Sequence, residues 1–203
     1  MIKLYHVSGT RSFRIRWLME ELGLDYELVT MPLDEKVLRT PDMLARNPFG
    51  KVPAIEDGDV TLFESGAIVE YLLETYAEGR LEPVKGSPEW LRYIQWMHGS
   101  ETLANFVGVV LFTSMRIPEE VRSDVISDAA KDRARFALAA AEKDLGDRPY
   151  ICGENFTAAD IMLTWALIFA EMFKLLDAEE IPNLVAWFAH MKERPAYQRA
   201  MAD

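Results

Sequence analysis

Residues 47–55 contain several groups that together could bind a small peptide. Lys51 supplies a cation, and Val52 precedes Pro53 at the point where the following residues predict a strand. A proline at a strand start is compatible with a cis or a trans bond, and the cis form would leave the backbone groups of Val52 facing outward. Such groups can pair with a peptide as an extra strand. The segment therefore predicts a cradle for an extended peptide.

Glu64 and Ser65 form a second candidate site at the start of a predicted helix. The serine is interpretable as a helix cap, or as a hydroxyl that binds a carboxylate together with the free N–H groups of the helix start. The neighbouring Glu64 can pair with an ammonium group. A carboxylate site beside an ammonium site would recognise an amino-acid head group.

The turn at residues 8–12 could change the acidity of a thiol. Ser8, Thr10 and Ser12 bring hydroxyl groups to the positive end of a predicted helix, although each is equally interpretable as a helix cap. Lowering a thiol pKa from about 8.5 to about 6.5 requires about 2.7 kcal/mol of preferential thiolate stabilisation. A helix end and one hydroxyl donor supply about that much.

The elements that carry these groups begin with a strand, a helix and a second strand. Residues 2–7 predict the first strand, a stripe of apolar residues at helical spacing then stops at Gly23, and residues 26–31 predict the second strand. Short joints between them imply a right-handed crossover and a parallel pair of strands.

The next elements complete a small α/β domain. Residues 33–47 predict a polar link with a short helix that has Pro41 in its first turn. Residues 52–56 and 60–63 predict an antiparallel hairpin, and an amphipathic helix follows and ends near Gly79. The order βαβ-α-ββα is that of a thioredoxin-like domain, to which we assign residues 1–80.

The remainder of the chain predicts a second domain made only of helices. Residues 81–87 are rich in proline and glycine and predict a linker, and residues 88–203 show only helical periodicity. Thr157 and Asp160 match the signature of a helix capping box, which favours a structural role for both.

Composition excludes several classes of partner. The net charge of −11 disfavours nucleic acid and anionic membranes, and the apolar run at residues 106–112 is too short to cross a bilayer. His6, His98 and His190 lack the spacing of metal ligands, so no metal site is expected. Cys152 is the only cysteine and is predicted to be inert, which together with the absence of an export signal indicates a cytoplasmic protein.

Four segments in the correct order and spacing resemble the cytosolic glutathione S-transferases, of the bacterial type with a serine- or threonine-like turn. They are residues 14–27, residues 47–55, residues 63–68 and residues 156–161. The resemblance covers essentially the whole chain and implies the two-domain architecture of that family. It also implies a homodimer, a role in detoxification, and glutathione as the co-substrate.

The resemblance further implies roles for individual residues. Val52 and a cis Pro53 would pair with the cysteinyl part of glutathione, and Glu64 and Ser65 would bind its γ-glutamyl head. The glycyl carboxylate would be bound by Lys51, with Lys36 or Arg39 as additional cations. A hydrophobic electrophile would lie against the helical domain, and our candidates for its apolar wall are Phe106, Val109 and Phe112.

Counting back from Arg14 places Thr10 where many family members carry the residue that activates the thiol. Ser8, Ser12 and Tyr5 are alternatives for this role. We expect an enzyme that attacks an electrophilic carbon with the glutathione thiolate. A glutathione-dependent isomerase, peroxidase or dehalogenase stays open within the same chemistry. A protein that binds glutathione without catalysis, for a regulatory role, is the alternative from another class.

Overall fold

A computed structural model describes residues 1–202 of the protein. The chain forms two compact units. The first consists of Met1–Arg80 together with the C-terminal residues from Glu193, and the second is Leu81–Lys192. No helix within residues 1–202 combines the length and the apolar character needed to cross a membrane.

Four strands form a mixed sheet in the first unit. They are β1 (Ile2–His6), β2 (Tyr26–Thr30), β3 (Ala54–Asp57) and β4 (Val60–Phe63), in the spatial order β2-β1-β3-β4. β1 is parallel to β2, and β3 is antiparallel to both of its neighbours. Tyr5 is paired with Ala54, which is paired in turn with Phe63. The residues after β1, before β3 and after β4 therefore lie at one edge of the sheet.

Four helices connect and cover these strands, namely α1 (Ser12–Leu22), α2 (Glu35–Leu38), α3 (Pro41–Arg46) and α4 (Ser65–Tyr76). The thioredoxin-like order is confirmed, with two short helices in the link instead of one. Pro41 occupies the first turn of α3 as predicted. Gly23 ends α1 with φ 70°, in the left-handed region that glycine adopts without steric cost.

A fifth helix of the first unit, α9 (Pro195–Met201), comes from the end of the chain and packs against α1. Arg194 donates two hydrogen bonds to Glu21, at 2.6 and 2.9 Å. The Tyr197 ring meets those of Phe13 and Trp17 edge to face, with centroids 5.4 and 5.1 Å apart. The sequence analysis assigned this segment to the helical domain, whereas its contacts group it with the first unit.

The second unit is helical, as predicted. It contains α5 (Pro88–Met115), α6 (Asp124–Leu145), α7 (Ala158–Met172), α8 (Pro182–Lys192) and a short 3₁₀ helix (Glu119–Val121). α7 is buried along almost its whole length and packs against α5. The predicted capping box at its start is confirmed, because Asp160 accepts hydrogen bonds from the Thr157 amide at 2.8 Å and from the Thr157 hydroxyl at 3.0 Å.

Candidate functional site

The loop before β3 is shaped by a buried asparagine. The side-chain amide of Asn47 donates to the carbonyl of Lys51 at 2.9 Å and accepts from the amide of Phe49 at 3.0 Å. These bonds close the loop on itself and leave the Lys51 side chain exposed. The bond between Val52 and Pro53 is cis, as the resemblance implied. Val52 precedes the first paired residue of β3 and lies at the edge of the sheet.

Gly50 brings Arg39 close to this loop. Its φ is 59°, and a Cβ atom at this position would lie 3.1 Å from Cγ of Arg39 and 3.2 Å from the carbonyl oxygen of Leu38. The backbone conformation therefore favours glycine, and a Cβ atom would also have to displace these two neighbours by a few tenths of an ångström. Arg39 forms an ion pair with Glu35 at 3.0 Å and is largely exposed. Lys36 is exposed on α2.

The start of α4 presents one exposed and one buried polar residue. Glu64 is exposed and has φ 70°, a conformation that costs a non-glycine residue free energy and is found mainly at functional sites. Ser65 is the first residue of α4 instead of its cap, and its hydroxyl accepts a hydrogen bond from Arg14 at 3.3 Å. The guanidinium of Arg14 is fully buried, so it anchors the start of α4 to α1.

The turn between β1 and α1 contains a connected group of hydroxyls. Thr10 is half-buried, and its Oγ1 donates to the Val7 carbonyl at 2.8 Å and lies 2.8 Å from Ser12 Oγ. Ser12 Oγ is also 2.9 Å from Nδ1 of His6 and accepts from the Val7 amide at 3.2 Å. His6 and Ser12 are buried, so Thr10 is the member of this group closest to solvent.

The other hydroxyls proposed from the sequence lie in different environments. Tyr5 is buried and donates its hydroxyl hydrogen to Glu56 at 2.9 Å. Burial and this carboxylate raise the pKa of Tyr5. Ser12 has no exposed surface that a ligand could contact, whereas Ser8 is exposed on the same turn as Thr10.

The candidates for the electrophile wall all lie on α5 at intervals of three residues, but they differ in exposure. Phe106 is half-buried and lines a groove of about 360 Å³ between α5 and α6. Val109 and Phe112 are exposed to 48% and 58%. The residues predicted to be structural lie elsewhere in the second unit. Cys152 is buried, and burial raises the pKa of its thiol to about 12.

Sequence reasoning missed three residues that position this site. It assigned no role to Asn47 or Arg14, although both lie in the segments that carry the resemblance, and it treated His6 only as a possible metal ligand. Across residues 1–202 the structure groups no three histidine, cysteine or acidic side chains in a way that could hold a metal ion.

Comparisons with known proteins agree for both parts of the chain. Residues 1–74 match the sequence model of the glutathione S-transferase N-terminal domain, and residues 103–195 match that of the C-terminal domain. Over 186 residues the chain is 33% identical to glutathione S-transferase 4 of Zea mays, covering 88% of this chain and 81% of the maize protein. It is 31% identical over 208 residues to glutathione S-transferase 3 of Schizosaccharomyces pombe, with 97% and 85% covered.

A solved structure extends the similarity to three dimensions. The theta class glutathione S-transferase of Xanthomonas axonopodis pv. citri, with glutathione bound, superposes with a TM-score of 0.86 and 31% identity. The alignment covers 100% of this chain and 97% of the Xanthomonas protein.

Proposed function

The chain belongs to the glutathione S-transferase family, and from this premise we propose that it ionises the thiol of glutathione and directs the thiolate at a carbon of a hydrophobic electrophile. The observation that carries the proposal is the register of the sheet. It brings the turn of Thr10, the bond between Val52 and Pro53, and the start of α4 to one edge. The Xanthomonas relative contains bound glutathione, which supports the same ligand here.

Each part of glutathione has a chemically matching group along this edge. The backbone of Val52 pairs with the cysteinyl residue as an added strand. Glu64 and Ser65 bind the ammonium and carboxylate of the γ-glutamyl head, at the positive end of α4. Lys51 binds the glycyl carboxylate, with Lys36 and Arg39 as further cations on the neighbouring helix and loop.

Thr10 is our choice for the group that stabilises the thiolate. Thr10 is only half-buried just before α1, where its hydroxyl can contact a bound sulfur, while Ser12 is fully buried and the Tyr5 hydroxyl is bonded to Glu56. Ser8 stays the alternative on the same turn. A hydrogen bond to a charged group contributes about 1.5–3 kcal/mol, which lowers a thiol pKa by about one to two units.

The binding step is tested with glutathione and S-methylglutathione, which has no ionisable thiol. We expect both to bind, and we expect the ultraviolet absorbance of the thiolate to show a lowered thiol pKa in the glutathione complex. Thr10→Val should bind S-methylglutathione normally but raise that pKa and lower kcat/KM about 100-fold. Thr10→Ser, which keeps the hydroxyl, is the matched control. A parental rate in Thr10→Val would show that Thr10 is the wrong residue.

The electrophile is tested with a panel of aryl halides, epoxides and unsaturated carbonyls. We propose that Phe106, Val109 and Phe112 supply apolar contacts to it, since all three retain exposed or groove-lining surface. Phe112→Ala should raise KM for the electrophile and leave glutathione affinity unchanged. Tight glutathione binding with no turnover of any electrophile would instead favour a binding protein without catalysis.

We also propose that the protein is a cytoplasmic homodimer. Phe49 is 64% exposed on the first unit, and Phe136 is 77% exposed on the second unit. Burying apolar surface of this kind is the main favourable contribution to association. Sedimentation equilibrium at low protein concentration should give a dimeric mass, and a monomer under those conditions would contradict the proposal.

A further inference from the structure

A buried histidine lies behind the hydroxyl group that we assign to thiolate stabilisation. His6 is 2% exposed, and its Nδ1 atom lies 2.9 Å from the hydroxyl of Ser12. That hydroxyl lies 2.8 Å from the hydroxyl of Thr10. The three side chains form a chain of contacts that begins inside the first unit and ends at the edge where the thiol would bind.

The number of hydrogens available to this chain decides what Thr10 can do. With a sulfur bound at Thr10 there are three short contacts along the chain: His6 to Ser12, Ser12 to Thr10, and Thr10 to sulfur. The Val7 carbonyl lies farther from the Ser12 hydroxyl, at 3.2 Å. Each of the three short contacts needs one hydrogen. The two hydroxyls supply two, so the third must be carried by Nδ1 of His6.

The opposite tautomer would prevent donation to the sulfur. If Nδ1 of His6 carries only a lone pair, two hydrogens must serve three contacts. Donation from Thr10 to sulfur would then leave two oxygens, or an oxygen and a nitrogen, facing each other with lone pairs at 2.8 or 2.9 Å. An unsatisfied buried polar contact of this kind is costly, so Thr10 would turn its hydrogen towards Ser12 instead.

The remaining contacts of Ser12 fit the first arrangement. Its oxygen has two lone pairs and one hydrogen. The Val7 amide fills one lone pair at 3.2 Å, and Nδ1–H of His6 fills the other. The hydrogen can go to Thr10 at 2.8 Å or to the Val7 carbonyl at 3.2 Å, and the shorter contact favours Thr10. Thr10 then donates to the Val7 carbonyl at 2.8 Å in the free protein and can transfer that donation to a bound sulfur.

We propose that His6, with its hydrogen on Nδ1, is a positioning residue that acts through Ser12 to present the Thr10 hydrogen to the glutathione sulfur. The inference rests on the proposed function, because it gives Thr10 the role of thiolate donor. It adds a buried residue outside the ligand cradle to the groups that set the acidity of the bound thiol.

Two variants each remove one contact between His6, Ser12 and Thr10, and a third variant restores one of these contacts. His6→Leu removes the Nδ1 donor, and Ser12→Ala removes the connecting hydroxyl. His6→Asn is the matched control, because its side-chain amide nitrogen can occupy the place of Nδ1 and donate the same hydrogen. Thermal unfolding of each variant identifies those that remain folded, and S-methylglutathione affinity reports whether the cradle is intact.

We expect the pKa of the bound glutathione thiol to rise by about one unit in His6→Leu and in Ser12→Ala, since each loses part of one charge-assisted hydrogen bond. S-methylglutathione should bind as tightly as to the parental protein, and His6→Asn should restore the parental thiol pKa. Adding His6→Leu to Thr10→Val should cause no further rise, because His6 acts through Thr10.

The outcomes separate the inference from the proposed function. A lowered thiol pKa in the parental protein that is unchanged in both His6→Leu and Ser12→Ala would overturn the role of His6 and leave the proposed function intact. Failure of the parental protein to bind S-methylglutathione, or an unshifted thiol pKa in its glutathione complex, would overturn both. Nitrogen NMR reads the tautomer directly, since the chain has 3 histidines and His6→Asn assigns the signal. An Nδ1 atom without a hydrogen in the glutathione complex would also overturn the inference.

Discussion

The starts of α1 and α7 use similar residues for different purposes. At α7, the hydroxyl of Thr157 donates to Asp160, and both side chains are buried. At α1, Thr10 is half-buried, and its hydroxyl contacts Ser12 and donates to the Val7 carbonyl. At α7 the polar groups of Thr157 and Asp160 are paired inside the fold. At α1 the Thr10 hydroxyl can exchange its present partner for a bound ligand. Exposure of the last hydroxyl, and not residue type, distinguishes a cap from a candidate catalytic group.

Removing the carboxylate of α7 should have the largest effect on stability. Asp160→Ala leaves the buried amides of Ile151 and Thr157 without the acceptor that they have at 2.8 Å, and it also removes the cap. We expect the free energy of unfolding to fall by about 4 kcal/mol. Urea unfolding at fixed protein concentration measures this change. A loss below 1 kcal/mol would show that the start of α7 is not the closed structural unit described above.

The pH dependence of stability should also distinguish the two helix starts. Burial raises the pKa of Asp160 from 3.8 to about 6 in the folded protein. The folded state therefore holds this proton more tightly than the unfolded state. Its contribution to stability is complete below pH 3.8 and is lost as the pH rises through about 6.

The parental protein and Asp160→Asn isolate this contribution, because the variant does not titrate at residue 160. We expect the difference between their free energies of unfolding to change by about 3 kcal/mol from pH 3.5 to pH 7, to the disadvantage of the parental protein at the higher pH. The first turn of α1 contains no acidic residue, so it has no carboxylate that could titrate in the same way. A difference that is independent of pH would contradict the raised pKa.

The same substitution at both helix starts compares them directly. Thr157→Val should lower stability by about 1–2 kcal/mol through loss of the cap, without changing the pKa of bound glutathione. Thr10→Val should lower stability by about 1 kcal/mol or less, since its bond to the Val7 carbonyl is only partly buried, and should raise the thiol pKa. Equal effects on the thiol pKa in both variants would remove the distinction between the two regions.

Tyr5→Phe should have the smallest effect. It removes one partly buried hydrogen bond to Glu56 and should lower stability by about 1 kcal/mol. The thiol pKa of bound glutathione should stay at its parental value, because the Tyr5 hydroxyl is hydrogen-bonded to Glu56. Glu56 in turn forms an ion pair with Arg46 at 2.7 Å. A rise in the thiol pKa would indicate that Tyr5, and not the turn at residues 8–12, stabilises the thiolate.

The sequence predicts the features that depend on neighbouring residues. The stop of α1 at Gly23, the first-turn position of Pro41 and the capping box of Thr157 and Asp160 each follow from a few adjacent residues, and the structure confirms all three. The cis bond before Pro53 needed the resemblance, because local sequence left both isomers open.

Features that depend on distant partners were not predictable in this way. Ser65 looked like a cap, but its hydroxyl accepts from Arg14, 51 residues earlier in the chain. His6 was considered only as a metal ligand, since the spacing of six residues to Ser12 matches no periodic pattern and arises only from the turn between β1 and α1. The packing of α9 against α1 depends on pairs such as Glu21 and Arg194, which are too far apart in sequence for a local pattern to connect them.

That last contact has a consequence for the protein during its synthesis. Arg194 and Glu21 are 173 residues apart, and the aromatic contacts of Tyr197 with α1 span a similar distance. Domains usually fold in the order in which the ribosome releases them. Here the second unit, Leu81–Lys192, is released in full while the first unit still lacks one of its helices. The helix that follows the Thr10 turn therefore acquires this packing partner only after the second unit has been synthesised.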